Sequence, residues 1–363
     1  MSNGNIRILN TSASLRIIGG IELGRLLRGT KEFALIDLRD EAQFKSGAPL
    51  YGNNIRIDLL AREASRLIPH RNTTIALVDA DGGRIREASE ILDDAGYRNI
   101  FGLEGGLDGN ERLPVLPIRI AGARVISGEI ERAFHTPVTT PRELSAERDA
   151  GRPVVVFDTR SFEEYERSHV PSSIPAPGGE ILAFYHRFVT SPETHVVVTC
   201  AGRSRAVPGA QTLIDAGIPN RVSQLDFGTN GWRDEGFELD TGFDGPIEKL
   251  SAEDIAYARK AAQPLLASIN RIDHEILEGW LSDESRTTYS LDVRLPDEFA
   301  RSSLPHSISA PGGQLGIQIG KWVAVQGARL VLIDDVDGFR AATTAHWFKR
   351  IGWEVNILLH DFK

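Results

Sequence analysis

One cysteine, Cys200, is all that the 363-residue sequence contains. No internal disulfide can form, and a reducing compartment, the cytoplasm, is the expectation. No run approaches the roughly 18 successive apolar residues of a membrane span, so no membrane partner is expected. The opening stretch shows neither a basic leader nor an apolar segment, and no secretory signal is visible. Positive charge is also in short supply. Fifty acidic against 41 basic residues leave a net charge of -9 with Lys and Arg scattered, which speaks against nucleic acid as a partner. The nine histidines form no close-spaced pair and lack a second cysteine to join, so no metal and no organic cofactor are expected. Low-complexity tracts are absent. What remains is 41% hydrophobic and 25% charged, a soluble globular composition on a chain too long for one ordinary core.

Internal repetition organises that length. Three apolar runs end in Asp-x-Arg: Ala34 to Arg39, Val155 to Arg160 and Tyr289 to Arg294. Each precedes an acidic, aromatic-containing helix start, around Phe44, Tyr165 and Phe299. The second and third copies then share an Ala-Pro-Gly-Gly turn, Ala176 to Gly179 and Ala310 to Gly313. A second apolar strand follows in each copy, at Thr74 to Val78, Val196 to Thr199 and Leu330 to Ile333. Next comes a helix closed by Gly96, Gly217 or Gly352, where glycine takes the left-handed conformation without strain. A third strand completes each copy. Short strands alternating with helices predict parallel sheets covered on both faces. The fold class is therefore α/β, with three tandem modules, each a small, mostly parallel sheet with helices on both faces.

Turn formers mark the boundaries. Pro114 to Pro117 and His135-Thr136-Pro137 part the first two copies, and Thr139-Thr140-Pro141 offers a cap and a proline start for the next helix. Asp244-Gly245-Pro246 and the capping sequence Ser251-Ala252-Glu253-Asp254 part the second from the third. These signals place the modules at 10–125, 138–245 and 268–363. The third stops right after its last strand, without the Gly-rich segment that follows in the others. A chain trimmed from a longer protein is the expectation.

Cys200 stands where the β-branched run Val196 to Thr199 breaks into Ala201-Gly202-Arg203-Ser204-Arg205. A strand-to-helix turn aims successive backbone N–H groups and a helix start at one point, which favours a thiolate. Arg203 and Arg205 beside it have no use in packing a core cysteine. Cys200 therefore reads as a nucleophile. No neighbouring cysteine can resolve it, which excludes a dithiol cycle within this chain.

The Asp-x-Arg strand end, the six-residue loop Cys200 to Arg205 and the following segment Asp226-Phe227-Gly228-Thr229-Asn230-Gly231-Trp232 resemble the rhodanese domain. The whole chain is similar to bacterial proteins with several such modules in tandem. The resemblance implies a thiosulfate sulfurtransferase: a sulfane sulfur is accepted on Cys200 as a persulfide and passed to a nucleophile. Ala201, Gly202, Arg203, Ser204 and Arg205 would form the substrate cradle, with Arg203 and Arg205 receiving a small anionic sulfur donor. The acceptor would be cyanide, a small thiol or a protein. Some cysteine phosphatases and arsenate reductases share the fold with a loop one residue longer, and they form the alternative enzyme class. A non-catalytic scaffold or sensor is the other alternative.

The first and third copies lack the cysteine. Alignment on the helix-ending glycines puts Asp79 and Asp335 in its place, in Asp-x-Asp-Gly-x-Arg sequences that each hold their own loop with a carboxylate. Both modules are expected to be inactive. The Asp-x-Arg residues, Asp37, Asp158 and Asp292, recur with or without the cysteine and read as structural ion pairs. His135 and His195 read as surface residues, and His169 and His306 as matched fold positions. Glu180 reads as a helix-start carboxylate and Trp232 and Trp353 as packing aromatics.

Overall fold

The computed structural model describes residues 15–29, 31–110, 115–116, 123–243, 249–316 and 318–362. The boundary residues Pro114 and Pro117, the Asp244-Gly245-Pro246 turn and the final Lys363 lie outside them. Contacts divide the chain into two units.

The first unit takes in residues 1–122 with 278–289 and 318–329. Its sheet is built from β1 (Leu15–Ile18), β2 (Phe33–Asp37), β3 (Gly52–Asn54), β4 (Thr74–Val78) and β5 (Ile100–Leu103), in the order β1-β5-β4-β2 with β3 beside β2. All these pairs are parallel. Every residue of β2 is buried, as a parallel strand covered on both faces requires. One strand was not foreseen. Val325–Gln326 joins β2 antiparallel, with Val325 opposite Ala34. Asn53 Nδ2 donates to the carbonyls of Gly320 (3.1 Å) and Val323 (3.2 Å), which fixes the segment in place.

The second unit comprises residues 123–277, 290–317 and 330–363. Its first sheet contains β6 (Val138–Thr139), β7 (Val154–Asp158), β8 (Ile174–Pro175), β9 (His195–Thr199) and β10 (Val222–Leu225), all parallel, in the order β8-β7-β9-β10-β6. A further sheet follows from β11 (Asn270–Arg271), β12 (Thr288–Asp292), β13 (Ile308–Ser309), β14 (Arg329–Asp334) and β15 (Glu354–Leu359), ordered β11-β15-β14-β12-β13. The three sheets thus repeat one connection order, and the α/β class with three mostly parallel sheets holds. Among the described residues no helix is long and apolar enough to cross a membrane.

Local signals act where the residues predict. Thr140 caps α1 (Pro141–Asp149) and Ser161 caps α2 (Phe162–Arg167), each in a reciprocal capping box with a glutamate. Ser251 does the same with Asp254 ahead of the helix Ala252–Ala261. Gly96, Gly217 and Gly352 have φ of +94°, +78° and +90° just past their helices. The two Ala-Pro-Gly-Gly turns have a common reason for their glycines: they pack backbone to backbone. A Cβ on Gly313 would lie 2.7 Å from the Gly178 nitrogen.

The Asp-x-Arg residues form three copies of one buried ion pair. Arg39 meets Asp37 at 2.7 Å, Arg160 meets Asp158 at 2.7 Å and Arg294 meets Asp292 at 2.6 Å, and each aspartate is fully buried. Each arginine also donates to a carbonyl eight residues on, that of Gly47, Ser168 or Ser302. Removing one partner of such a pair strands the other charge and costs about 3 to 5 kcal/mol. Asp292→Ala is accordingly expected to lose that much stability. Urea titration checks this, and a loss under 1 kcal/mol would assign the pair no structural weight.

Candidate functional site

Strand β9 ends at Thr199, whose carbonyl accepts the N–H of Thr159 at 3.0 Å. The chain then turns through Cys200 to Arg205 and enters α3 (Ala206–Asp215). Cys200 is 1% exposed, within the apolar cluster that holds Phe157, Val198 and Ala210. The loop is clamped from behind by α4 (Gly228–Asp234): Thr229 N–H donates to the Cys200 carbonyl (2.8 Å) and Asn230 N–H to that of Ala201 (3.2 Å). Gly228 makes that approach possible. Its φ is +54°, and a Cβ there would sit 2.0 Å from the Cys200 oxygen. With the carbonyls turned toward α4, the N–H groups of Ala201 to Arg205 donate to no other group among the described residues.

The corresponding loops elsewhere satisfy such groups themselves. In the first, Asp79 Oδ2 accepts the N–H of Arg84 (3.0 Å) and Asp81 Oδ1 that of Gly83 (2.8 Å). In the third, Asp334 takes the N–H groups of Asp335 and Ala341, both at 2.9 Å. The residue in the cysteine position there is Asp334, not Asp335 as the alignment on glycines implied. Val293 N–H meets the Ile333 carbonyl as Thr159 N–H meets Thr199 and Leu38 N–H meets Val78. His360 N–H likewise meets the Asp334 carbonyl as Thr229 meets Cys200. The third loop is therefore one residue longer before its arginine, Arg340, and α5 (Phe339–Arg350) begins behind Gly338 at φ +66°.

Both arginines beside Cys200 are held by carboxylates. Arg205 makes two bonds to Glu164, at 2.5 and 2.7 Å. Arg203 pairs with Glu131, lies 3.7 Å from Asp226 and covers the Phe227 ring at 5.2 Å. Sequence reasoning missed Glu131 and Glu164 as partners, although Glu164 carried a signal in its capping-box position. Burial works to raise the Glu164 pKa, but the hydrogen bond and charge of Arg205 outweigh it and bring it down to about 2. For Arg205, burial opposes the charge, while the Glu164 bond and the nearby Cys200 sulfur hold its pKa above the ordinary value.

Other expectations meet corrections. His195 is buried, not on the surface: Nδ1 lies 2.7 Å from Glu147 and Nε2 2.8 Å from the Ser223 hydroxyl, and burial lowers its pKa. It opens β9, whereas Cys200 follows the strand's other end. Glu180 caps no helix; its buried carboxylate pairs with Arg340, and its Oε2 has no partner among the described residues. Arg340 also meets Asp335 at 3.0 Å, and Glu298 and Asp334 at 3.4 Å. Burial pushes Asp334 up to about 7, with Arg340 opposing and Asp335 adding to the rise. His135 is exposed as expected. His169 is buried and stacks on Tyr165 at 3.9 Å, whereas His306 is exposed. Trp232 is a core aromatic, donating to the Glu238 carbonyl at 2.8 Å.

The rhodanese-like domain model matches residues 22–112 and 140–235. The chain belongs to the rhodanese-like family. Among solved structures, it is similar to a thiosulfate sulfurtransferase from Pseudomonas aeruginosa, with 35% identity and a TM-score of 0.89. That match covers 94% of this chain and 66% of the other, so the chain spans just under two thirds of that relative's length. A Bacillus halodurans protein (25% identity, TM-score 0.26) matches 36% of this chain and 97% of its own. A rhodanese-related protein from Thermoplasma volcanium (27% identity, TM-score 0.25) matches 27% and 95%. A comparison with curated proteins finds no match.

The depressed pKa of Glu164 makes stability depend on pH. A carboxylate with a folded pKa below its unfolded value stabilises the fold fully above about 4.5, and that contribution is lost as the pH falls toward about 2. The urea midpoint is expected to fall over this window, and to fall less in Glu164→Gln. Identical profiles for the two proteins would remove the pair from the account.

Proposed function

We propose that the protein is a sulfurtransferase that moves a sulfane sulfur, from thiosulfate or a similar anionic donor, through a persulfide on Cys200 to a nucleophilic acceptor. The donor's outer sulfur is attacked by the Cys200 thiolate. A sulfur–sulfur bond forms to Cys200 as the donor's own breaks, and the electron pair leaves with sulfite. Cyanide, a thiol or a protein nucleophile then takes the outer sulfur and returns the thiolate. The reading includes three modules, at 10–125, 138–245 and 268–363, with Cys200 in the only one that works, and a cytoplasmic setting for the free thiol.

One observation carries this reading. The N–H groups around Cys200 are left without an acceptor, whereas the other two loops fill theirs with an aspartate. N–H groups preset toward one point stabilise the charge on a terminal persulfide sulfur without reorganising. The resemblance to a thiosulfate sulfurtransferase supports the same chemistry. Loop length supports sulfur over a tetrahedral oxyanion, because Cys200 to Arg205 is the shorter form.

Thiosulfate is expected to add the mass of one sulfur atom to the protein, and cyanide to remove it as thiocyanate. Cys200→Ser should abolish both steps, while Asp79→Ala and Asp334→Ala, where folded, should retain them. Intact-mass spectrometry and thiocyanate assay read the outcome. Sulfur transfer that survives Cys200→Ser, or rapid hydrolysis of aryl phosphates by the unaltered protein, would sink the assignment.

A further inference from the structure

The guanidiniums nearest Cys200 are already matched. Arg205 is paired with Glu164, and Arg203 lies between Glu131 and Asp226, so two positive groups face three negative ones. A dianion arriving at this loop meets backbone N–H groups but no unmatched cation, and stripping water from a doubly charged ion is costly without one. Alongside the loop runs a cleft of about 70 Å³. Ser204 and Arg205 form one part of its wall, and Gly313, Gly316, Trp347 and Phe348 contribute to the rest. The hydroxyls of its threonines are taken. Thr343 donates to the Phe339 carbonyl (2.9 Å) and Thr344 to that of Arg340 (2.8 Å). Thr212 donates to the Pro208 carbonyl (2.7 Å) and accepts from Trp347 Nε1 (2.9 Å). What the cleft offers an occupant is chiefly apolar contact, next to a loop of unpaired N–H groups.

We propose that the preferred donor is singly charged with an apolar body, an organic thiosulfonate (R–SO₂–S⁻), whose R group fills this cleft while its sulfonyl end meets the loop. The proposal rests on the sulfur-transfer reading and narrows its donor. The step balances without a proton: the Cys200 thiolate attacks the terminal sulfur, the bond from that sulfur to the sulfonyl sulfur breaks, and the electron pair leaves with the sulfinate R–SO₂⁻. One negative charge stays on the persulfide and one departs with the product.

The test compares benzenethiosulfonate with thiosulfate on the full chain, with cyanide as acceptor. Apolar pocket contacts discriminate by about tenfold or more, and kcat/KM for the thiosulfonate is expected to exceed that for thiosulfate by that factor. Gly316 offers a way to fill the cleft: its φ is -61°, and a Cβ there meets nothing within 4 Å. Gly316→Phe should lower the thiosulfonate-to-thiosulfate ratio about tenfold. Independently, Glu164→Gln releases the charge of Arg205 and should move the ratio toward thiosulfate. A wild-type ratio at or below one, or a ratio unmoved in both variants, overturns the proposal. Equal loading of Cys200 from both donors leaves sulfur transfer standing and removes only the donor class. No loading from either donor removes the transfer reading as well.

Discussion

At the end of the second strand of each sheet, an aspartate with no exposure to water takes a bidentate bond from the arginine two residues on. The arginine then reaches a carbonyl eight residues further along and ties the strand end to the far end of the helix that follows. The residue between them donates its N–H to the last carbonyl of the neighbouring strand, Val78, Thr199 or Ile333. The residue after that carbonyl is Asp79, Cys200 or Asp334. The buried pair thus determines where the loop leaves the sheet, and it does so equally well whether or not a nucleophile stands there. An unpaired buried charge is expensive, so this geometry resists drift over the rest of the sequence.

On that common frame a single change of side chain separates a closed loop from an open one. An aspartate bends back and accepts the N–H groups of its own turn, as Asp79 and Asp334 do. A thiol is a weak acceptor, so the same turn around Cys200 keeps its N–H groups for an incoming anion. The clamp from α4 is the other requirement, because it draws the Cys200 and Ala201 carbonyls away. Gly228 is essential to it, since any Cβ there would collide with the Cys200 oxygen.

Charge in the second unit is arranged on the same pattern twice, with different results. Glu164 and Glu298 occupy the same place in their helices, six residues after the buried aspartate, and each faces the loop arginine, Arg205 or Arg340. Arg340 meets three further carboxylates, of Glu180, Asp334 and Asp335, and is buried among them. Arg205 has Glu164 alone as ion-pair partner and borders the cleft. One arginine is locked into a charge cluster, and the other is neutralised yet reachable.

The three repeats, the strands, the helix caps, the left-handed glycines and the loop at Cys200 were all legible in the sequence by itself. Each depends on a residue and its neighbours a few positions away: alternation of burial, a Ser or Thr hydroxyl three residues before a carboxylate, a glycine where φ is positive. Even the Asp-x-Arg pair spans only two residues. What only the tertiary structure decided depends on distance along the chain. Arg203 finds Glu131 from 72 positions away, His195 is buried by Glu147 and Ser223, and Glu180 meets Arg340 across 160. The extra residue in the third loop was hidden because glycines that end helices mark the helix end, not the strand exit. The strand at Val325–Gln326 was hidden because a two-residue edge has no period to read. Local chemistry selects conformation one turn at a time. Which charges meet, and therefore whether the loop at Cys200 holds a free cation, is settled only when distant segments compete for the same buried space.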